Sequence, residues 1–250
     1  MNNIVILDNE IKQANKLILK DVEGNLLKTN TLQIDASGLN NSLRKMRDGH
    51  TFFGPVADYV NYLIKFKKNC IINDFTIEGL KNEGNIKRLF VIYFERNSQK
   101  YFLRSINDDY SQNSALIYIK ITKPMSLKPK QYISLFQAVL CVTVFEFNLI
   151  VVITKDNGLT NEKITYHFDP KDSPVTIGRG DCKIKLNYSS LSKKHCTIYY
   201  NIYSNIWEIY DGFENKESTN GTWLLVNSKH EIKEDTLVKI DSRSFKISLV

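Results

Sequence analysis

Proline and glycine are scarce in this sequence, at 5 and 11 residues among 250. Disordered, linker-dominated and collagen-like chains are rich in one or both, so the bulk of this chain is expected to pack. No apolar run reaches the roughly 18 residues that a spanning helix requires. The richest stretch, residues 138–153, is interrupted by Thr143, Glu146 and Asn148. The four cysteines, Cys70, Cys141, Cys182 and Cys196, include no close pair, which excludes zinc-type and dithiol spacing and predicts reduced, buried thiols. His50, His167 and His230 stand alone and receive no role. The opening Met-Asn-Asn-Ile, followed by Asp8 and Glu10, fits neither a signal peptide nor a transit peptide. The expected location is therefore intracellular, cytoplasmic or nuclear, and the glycosylation sequons at Asn187 and Asn220 are expected to be idle.

What the chain does have is basic charge and alternation. Lysines and arginines number 34 against 27 acids, a net +7, with clusters at 65–68, 123–130 and Lys193-Lys194. No Arg-rich or aromatic-interleaved surface motif accompanies them, so the first two clusters read as solvated lysines, and nucleic-acid binding is the least favoured function. Segments such as Phe90-Val-Ile-Tyr-Phe-Glu, Cys196-Thr-Ile-Tyr-Tyr and Trp223-Leu-Leu-Val are rich in β-branched and aromatic residues and recur about every ten residues between polar turns. That pattern predicts an all-β fold of sandwiches or barrels. Only two short pieces are compatible with helix, residues 39–46 and 59–64.

The chain also repeats itself. Residues 90–103 overlie 196–209 without a gap, 113–119 overlie 220–226, and 132–144 overlie 237–249. The repeat predicts two similar β-sandwiches packed closely, over residues 1–145 and 146–250, the first enlarged by an insertion near 55–88 that carries Lys65-Phe66-Lys67-Lys68. Between them, residues 142–153 run on with no Pro/Gly/Ser linker, which favours a fixed junction over free tethering.

Three motifs stand in order in the second half, each between predicted strands: Ile177-Gly178-Arg179, Ser192-Lys193-Lys194-His195 and Thr219-Asn220-Gly221-Thr222. Singly each has an ordinary reading: a surface arginine, a turn-capping serine, an Asn-Gly hairpin turn. Together, in this order and spacing, the second half resembles the forkhead-associated (FHA) family. The resemblance implies a phosphothreonine-binding module whose loops grip a phosphopeptide at one end of the sandwich. A phosphothreonine brings about −1.5 to −2 charges and three acceptor oxygens, which call for fixed cationic and hydroxyl donors. The implied roles give Arg179 the chain near the phosphothreonine, Ser192 and Lys193 the phosphate oxygens, Thr219 the flank of the phosphate and Asn220 the peptide backbone. Gly178, as a tight turn, together with His195 and Gly221 would support the site. Ser190 stands where members selecting an acidic residue three places after the phosphothreonine often carry arginine, so that selectivity is not expected here.

Overlaid on the first half, Gly178-Arg179 falls on Gly54-Pro55, residues 192–195 on Ile86-Lys87-Arg88-Leu89, and residues 219–221 on Gln112-Asn113-Ser114. Proline and isoleucine offer no donors there, so the first repeat reads as a degenerate FHA-like scaffold. No nucleophile elbow or oxyanion loop accompanies Ser192 and His195, and no metal or cofactor is expected. The leading function is a non-enzymatic, phosphothreonine-dependent adaptor whose partner is a phosphothreonine-containing protein. The alternative is a structural subunit of a larger assembly with an unused phosphate pocket.

Overall fold

The computed structural model describes residues 16–22, 31–40, 42, 44, 47–55, 73–77, 89–106, 116–156, 161–240 and 243–250. The strands in chain order begin with β1 (Leu17–Asp21), β2 (Thr31–Asp35), β3 (Gly38–Leu39), β4 (His50–Pro55), β5 (Phe75–Ile77), β6 (Phe90–Glu95), β7 (Lys100–Ser105) and β8 (Ile117–Lys120). There follow β9 (Met125–Ser126), β10 (Lys130–Leu135), β11 (Ala138–Phe145), β12 (Asn148–Asp156), β13 (Asn161–Phe168), β14 (Val175–Gly178), β15 (Ile184–Lys185), β16 (Cys196–Asn201), β17 (Ile206–Asp211) and β18 (Trp223–Leu225). The chain closes with β19 (His230–Glu231), β20 (Thr236–Ile240) and β21 (Arg243–Leu249). The fold is all-β, as the alternation predicts. The expected helix at 59–64 lies outside the described residues, and the described part of 39–46 contains the end of β3 and no helix. A 3-10 turn, Pro170–Asp172, is capped by the Asp169 carboxylate, which accepts the Lys171 N–H. Among the described residues no helix is long and apolar enough to cross a membrane.

Two compact units divide the chain: Met1–Tyr118 with Val226–Val250, and Ile119–Leu225. This division differs from the expected 1–145 and 146–250, because residue 145 ends one arm of a hairpin. Strand β11 turns directly into β12 and pairs with it from Val139↔Thr154 to Phe145↔Asn148. In the second unit the sandwich has one sheet with neighbours β13-β12-β11-β10-β18 and another ordered β15-β14-β16-β17-β9. Residues at period two point inward, so Leu140, Val142, Leu149, Val151 and Ile153 from one sheet and Ile177, Ile198, Trp207 and Ile209 from the other are all fully buried. Burying each such side chain contributes roughly 1.5–3 kcal/mol.

The first unit has sheet neighbours β20-β21-β1-β2-β3 and β19-β7-β6-β4-β5. Its core includes Leu17, Leu19, Ile92, Leu103 and Ile247, with Phe53 and Phe90 stacked at 4.4 Å between ring centres. The buried Asp74 carboxylate is satisfied by the Arg44 Nε at 3.0 Å and the Phe52 N–H at 2.8 Å. Strands β4 and β14 are set alike, each parallel to the strand that follows it and antiparallel to the next. The Leu89 N–H donates to Phe53 O at 2.8 Å, and the His195 N–H donates to Ile177 O at 2.7 Å. Leu89 thus stands immediately before β6 as His195 does before β16. Residues 86–88 and 112–114, where the remaining site counterparts fall, lie outside the described residues, as do Cys70 and most of the insertion.

The thiols depart in part from expectation. Cys196 is buried, and desolvation pushes its pKa far up, but Cys141 and Cys182 are half-exposed; all three are free.

Candidate functional site

Three loops of the second unit carry the three sequence motifs, and hydrogen bonds hold them together. The first follows β14. Its backbone lies flat against the Ser192–Lys193 segment, with Arg179 N–H donating to Ser192 O at 3.1 Å and Gly180 N–H to Lys193 O at 2.9 Å. Gly178 serves this close approach. Its φ is not positive, and a Cβ there would lie 2.4 Å from Lys193 O, 2.8 Å from Ser192 O and 2.9 Å from His195 N. The tight-turn role expected for Gly178 is therefore replaced by a packing role. Gly221 is the glycine that needs its backbone freedom, at φ +72.

Arg179 is exposed, and its Nε donates to Leu191 O at 2.7 Å. That bond braces the guanidinium, and its Nη groups have no partner among the described residues. The Ser192 hydroxyl accepts the Thr219 N–H at 3.0 Å and lies 3.3 Å from Thr219 Oγ1. One of its two lone pairs is thus taken by the backbone, and its proton can go either to Thr219 Oγ1 or to a ligand. Asn220 uses one side-chain amide hydrogen on Ser190 O at 2.7 Å, and its backbone carbonyl accepts the Trp223 Nε1–H at 2.9 Å. Lys193 is exposed, whereas Lys194 is turned aside, its Nζ 3.5 Å from the centre of the Phe213 ring.

His195 is fully buried beneath these loops. The Ser192 N–H meets Nδ1 at 3.2 Å and Gly221 O meets Nε2 at 3.1 Å. An amide donor on one side and a carbonyl on the other select the neutral tautomer protonated on Nε2. Both ring nitrogens are spent on backbone, so the imidazole is not placed as a base for the Ser192 hydroxyl. Burial pushes its pKa below the ordinary 6.5, partly offset by the Gly221 hydrogen bond and by the charge of Asp211. A histidine whose folded pKa is depressed contributes its full stability above its unfolded pKa and loses it as the unfolded chain takes up the proton first. Acidifying from pH 7.5 to below 6.5 should therefore lower the thermal midpoint of the free chain, and part of that loss should vanish in His195→Gln; an identical acid slope in both chains would contradict the assignment.

Sequence reasoning passed over Asp211. Its carboxylate accepts Ser218 N–H at 3.0 Å, Ser218 Oγ at 2.6 Å and Thr222 Oγ1 at 2.6 Å, clamping both ends of the Thr219–Gly221 loop. The Asp-Gly pair at 211–212 is a turn signal in the sequence, but nothing in the pattern says what the carboxylate would hold. Gln137 was also missed. It sits in the β10–β11 turn, where its Oε1 accepts the Ser190 hydroxyl at 2.7 Å.

Of the eight residues singled out in the sequence, Gly178 closes β14 and the other seven, Arg179, Ser192, Lys193, His195, Thr219, Asn220 and Gly221, fall on these three loops of one unit. The arrangement offers a braced guanidinium, a hydroxyl, an amide and an exposed ammonium, a set suited to an anion on a peptide. Curated proteins include none that matches the chain. The FHA domain family, whose members bind phosphorylated proteins, matches residues 175–241, the stretch that carries all three motifs.

Proposed function

We propose that the chain is a non-enzymatic adaptor that reads phosphothreonine through Arg179, Ser192, Lys193, Thr219 and Asn220. The observation that carries this reading is the bracing of the donors: Arg179 is held at Nε on Leu191 O, leaving its Nη groups without a partner among the described residues, and Ser192 Oγ accepts the Thr219 N–H, so its hydroxyl can donate to a ligand in place of the Thr219 hydroxyl. A dianion surrenders its hydration only to several convergent donors fixed beforehand. Asn220 holds the bound peptide by its second amide hydrogen and its side-chain carbonyl. The first repeat, a degenerate counterpart in a tandem arrangement, takes no phosphate, since Leu89 stands where His195 ties the loops.

Calorimetric titration of the intact chain with peptides selected from a degenerate phosphothreonine library tests this. Binding of the phosphorylated form, with none of the unphosphorylated form, is expected at about one peptide per chain. Phosphoserine should bind a few-fold more weakly, because a buried threonine methyl is worth about 0.8 kcal/mol. No phosphate-dependent binding across the library, or equal binding of single-stranded nucleic acid with a steep salt dependence, would overturn the reading.

A further inference from the structure

The FHA match runs to residue 241, but the compact unit that holds the site ends at Leu225. The strands β19 and β20, which follow β18 in the matched sequence, belong to the first unit. Their places in the second unit are taken by β9 and β10. Strand β9 pairs with β17 as Met125↔Ile209 and Ser126↔Glu208, and Leu127 N–H donates to Trp207 O at 2.8 Å. Strand β19 pairs with β7 as His230↔Leu103 and Glu231↔Phe102, and Ile232 N–H donates to Tyr101 O at 2.9 Å. The turns that follow are alike too: Lys128 N–H meets Gln131 Oε1 and Lys233 N–H meets Thr236 Oγ1, both at 3.0 Å. Next, β10 and β11 join β18 and β12, while β21 joins β1. Two equivalent blocks, 125–145 and 230–250, therefore each complete the sandwich of the other half of the chain.

The connector explains the arrangement. Phe145 pairs with Asn148 across a turn of Glu146 and Phe147, with Glu146 at φ +53 and Phe147 O held by Trp207 Nε1 at 2.7 Å. A two-residue turn returns a strand only to its immediate neighbour, so β11 is committed to β12 and to the second unit. The edge of β1 is then left for β21.

We propose that the two repeats have exchanged their C-terminal β-hairpins within one chain, and that the incoming hairpin delivers Gln137 as a positioning residue of the phosphopeptide site. Gln137 holds the Ser190 hydroxyl, and Ser190 O in turn holds the Asn220 side chain. The second clause rests on the phosphopeptide reading; the exchange does not.

Lys20 and Lys246 lie directly opposite each other, the first exposed and the second half-exposed. In the repeat alignment Lys246 corresponds to Cys141, so closure without exchange would put Cys141 opposite residue 20. In the full chain carrying Lys20→Cys and Lys246→Cys, a short thiol–thiol crosslinker followed by peptide mapping should join positions 20 and 246 within one chain. A link from 20 to 141, or a 20–246 link between two chains, would overturn the exchange within one chain. This measurement uses no peptide, so it stands whether or not phosphothreonine binds. Gln137→Ala should weaken a selected phosphopeptide about threefold at an unchanged thermal midpoint, and should add nothing in a Ser190→Ala background. Unchanged affinity, or losses that add across the two substitutions, would remove Gln137 from the site while leaving the phosphopeptide reading intact.

Discussion

Arg179→Ala and Ser192→Ala should each weaken binding of a selected phosphothreonine peptide by at least tenfold. A hydrogen bond to a charged group contributes about 1.5–3 kcal/mol, or roughly ten- to a hundredfold in affinity. Both donors are fixed before the ligand arrives. Arg179 is tethered through Nε to Leu191 O, and the Ser192 oxygen is held by the Thr219 amide, so little entropy is lost in aiming them. Arg179→Lys should recover little, because an ammonium cannot both bind Leu191 O and present a planar pair of donors. Lys193→Ala should cost less, about threefold, since an exposed ammonium on a flexible stem is a screened point charge. Titration of the four variants against one peptide decides the matter. Affinity in Arg179→Ala within a factor of two of the parent chain would remove the guanidinium from the site.

The parts legible in sequence were those fixed by local pattern. Alternation along Phe90-Val-Ile-Tyr-Phe-Glu and Cys196-Thr-Ile-Tyr-Tyr predicts β6 and β16 and the faces they bury, because side chains alternate at period two whatever the neighbour. The same alternation says nothing about which strand lies alongside. Strand β11 would bury Leu140 and Val142 equally well against β1 or β12; the turn at Glu146 and Phe147 decides, and that turn carries no glycine to announce it. The expected boundary at residue 145 followed the order of the repeat, whereas the compact units follow strand pairing. Strands as short as β9, β15 and β19 show no period at all. In the site the three motifs mark the loops, but Asp211 and Gln137 lie outside them and act through partners 7 to 53 positions away, which only the folded chain brings near.

Gly178→Ala should disable the site more thoroughly than loss of any single donor, and should destabilise the unit that holds it. The obstacle is space rather than backbone conformation. The three atoms nearest the added Cβ, at 2.4, 2.8 and 2.9 Å, are backbone atoms of Lys193, Ser192 and His195, none of which can swing aside as a side-chain end can. Relief requires the 192–195 segment to move off β14 as a body. That motion breaks the bonds from Arg179 N–H and Gly180 N–H, stretches His195 N–H to Ile177 O, and draws the Ser192 hydroxyl away from Thr219. Overpacking costs about 1–3 kcal/mol and each lost hydrogen bond about 1 more, so a loss of roughly 3 kcal/mol is expected. In a chain of this size that lowers the thermal midpoint by about 6–12 °C. Gly180→Ala provides a graded comparison. Its Cβ would meet Lys193 Cβ and O at 3.0 Å, a clash that a few tenths of an ångström relieve, so its effect should be distinctly smaller. Thermal unfolding and peptide titration of both variants measure the ordering. A Gly178→Ala chain that melts with the parent and binds peptide as well would mean that the loops do not close on β14 as these contacts require.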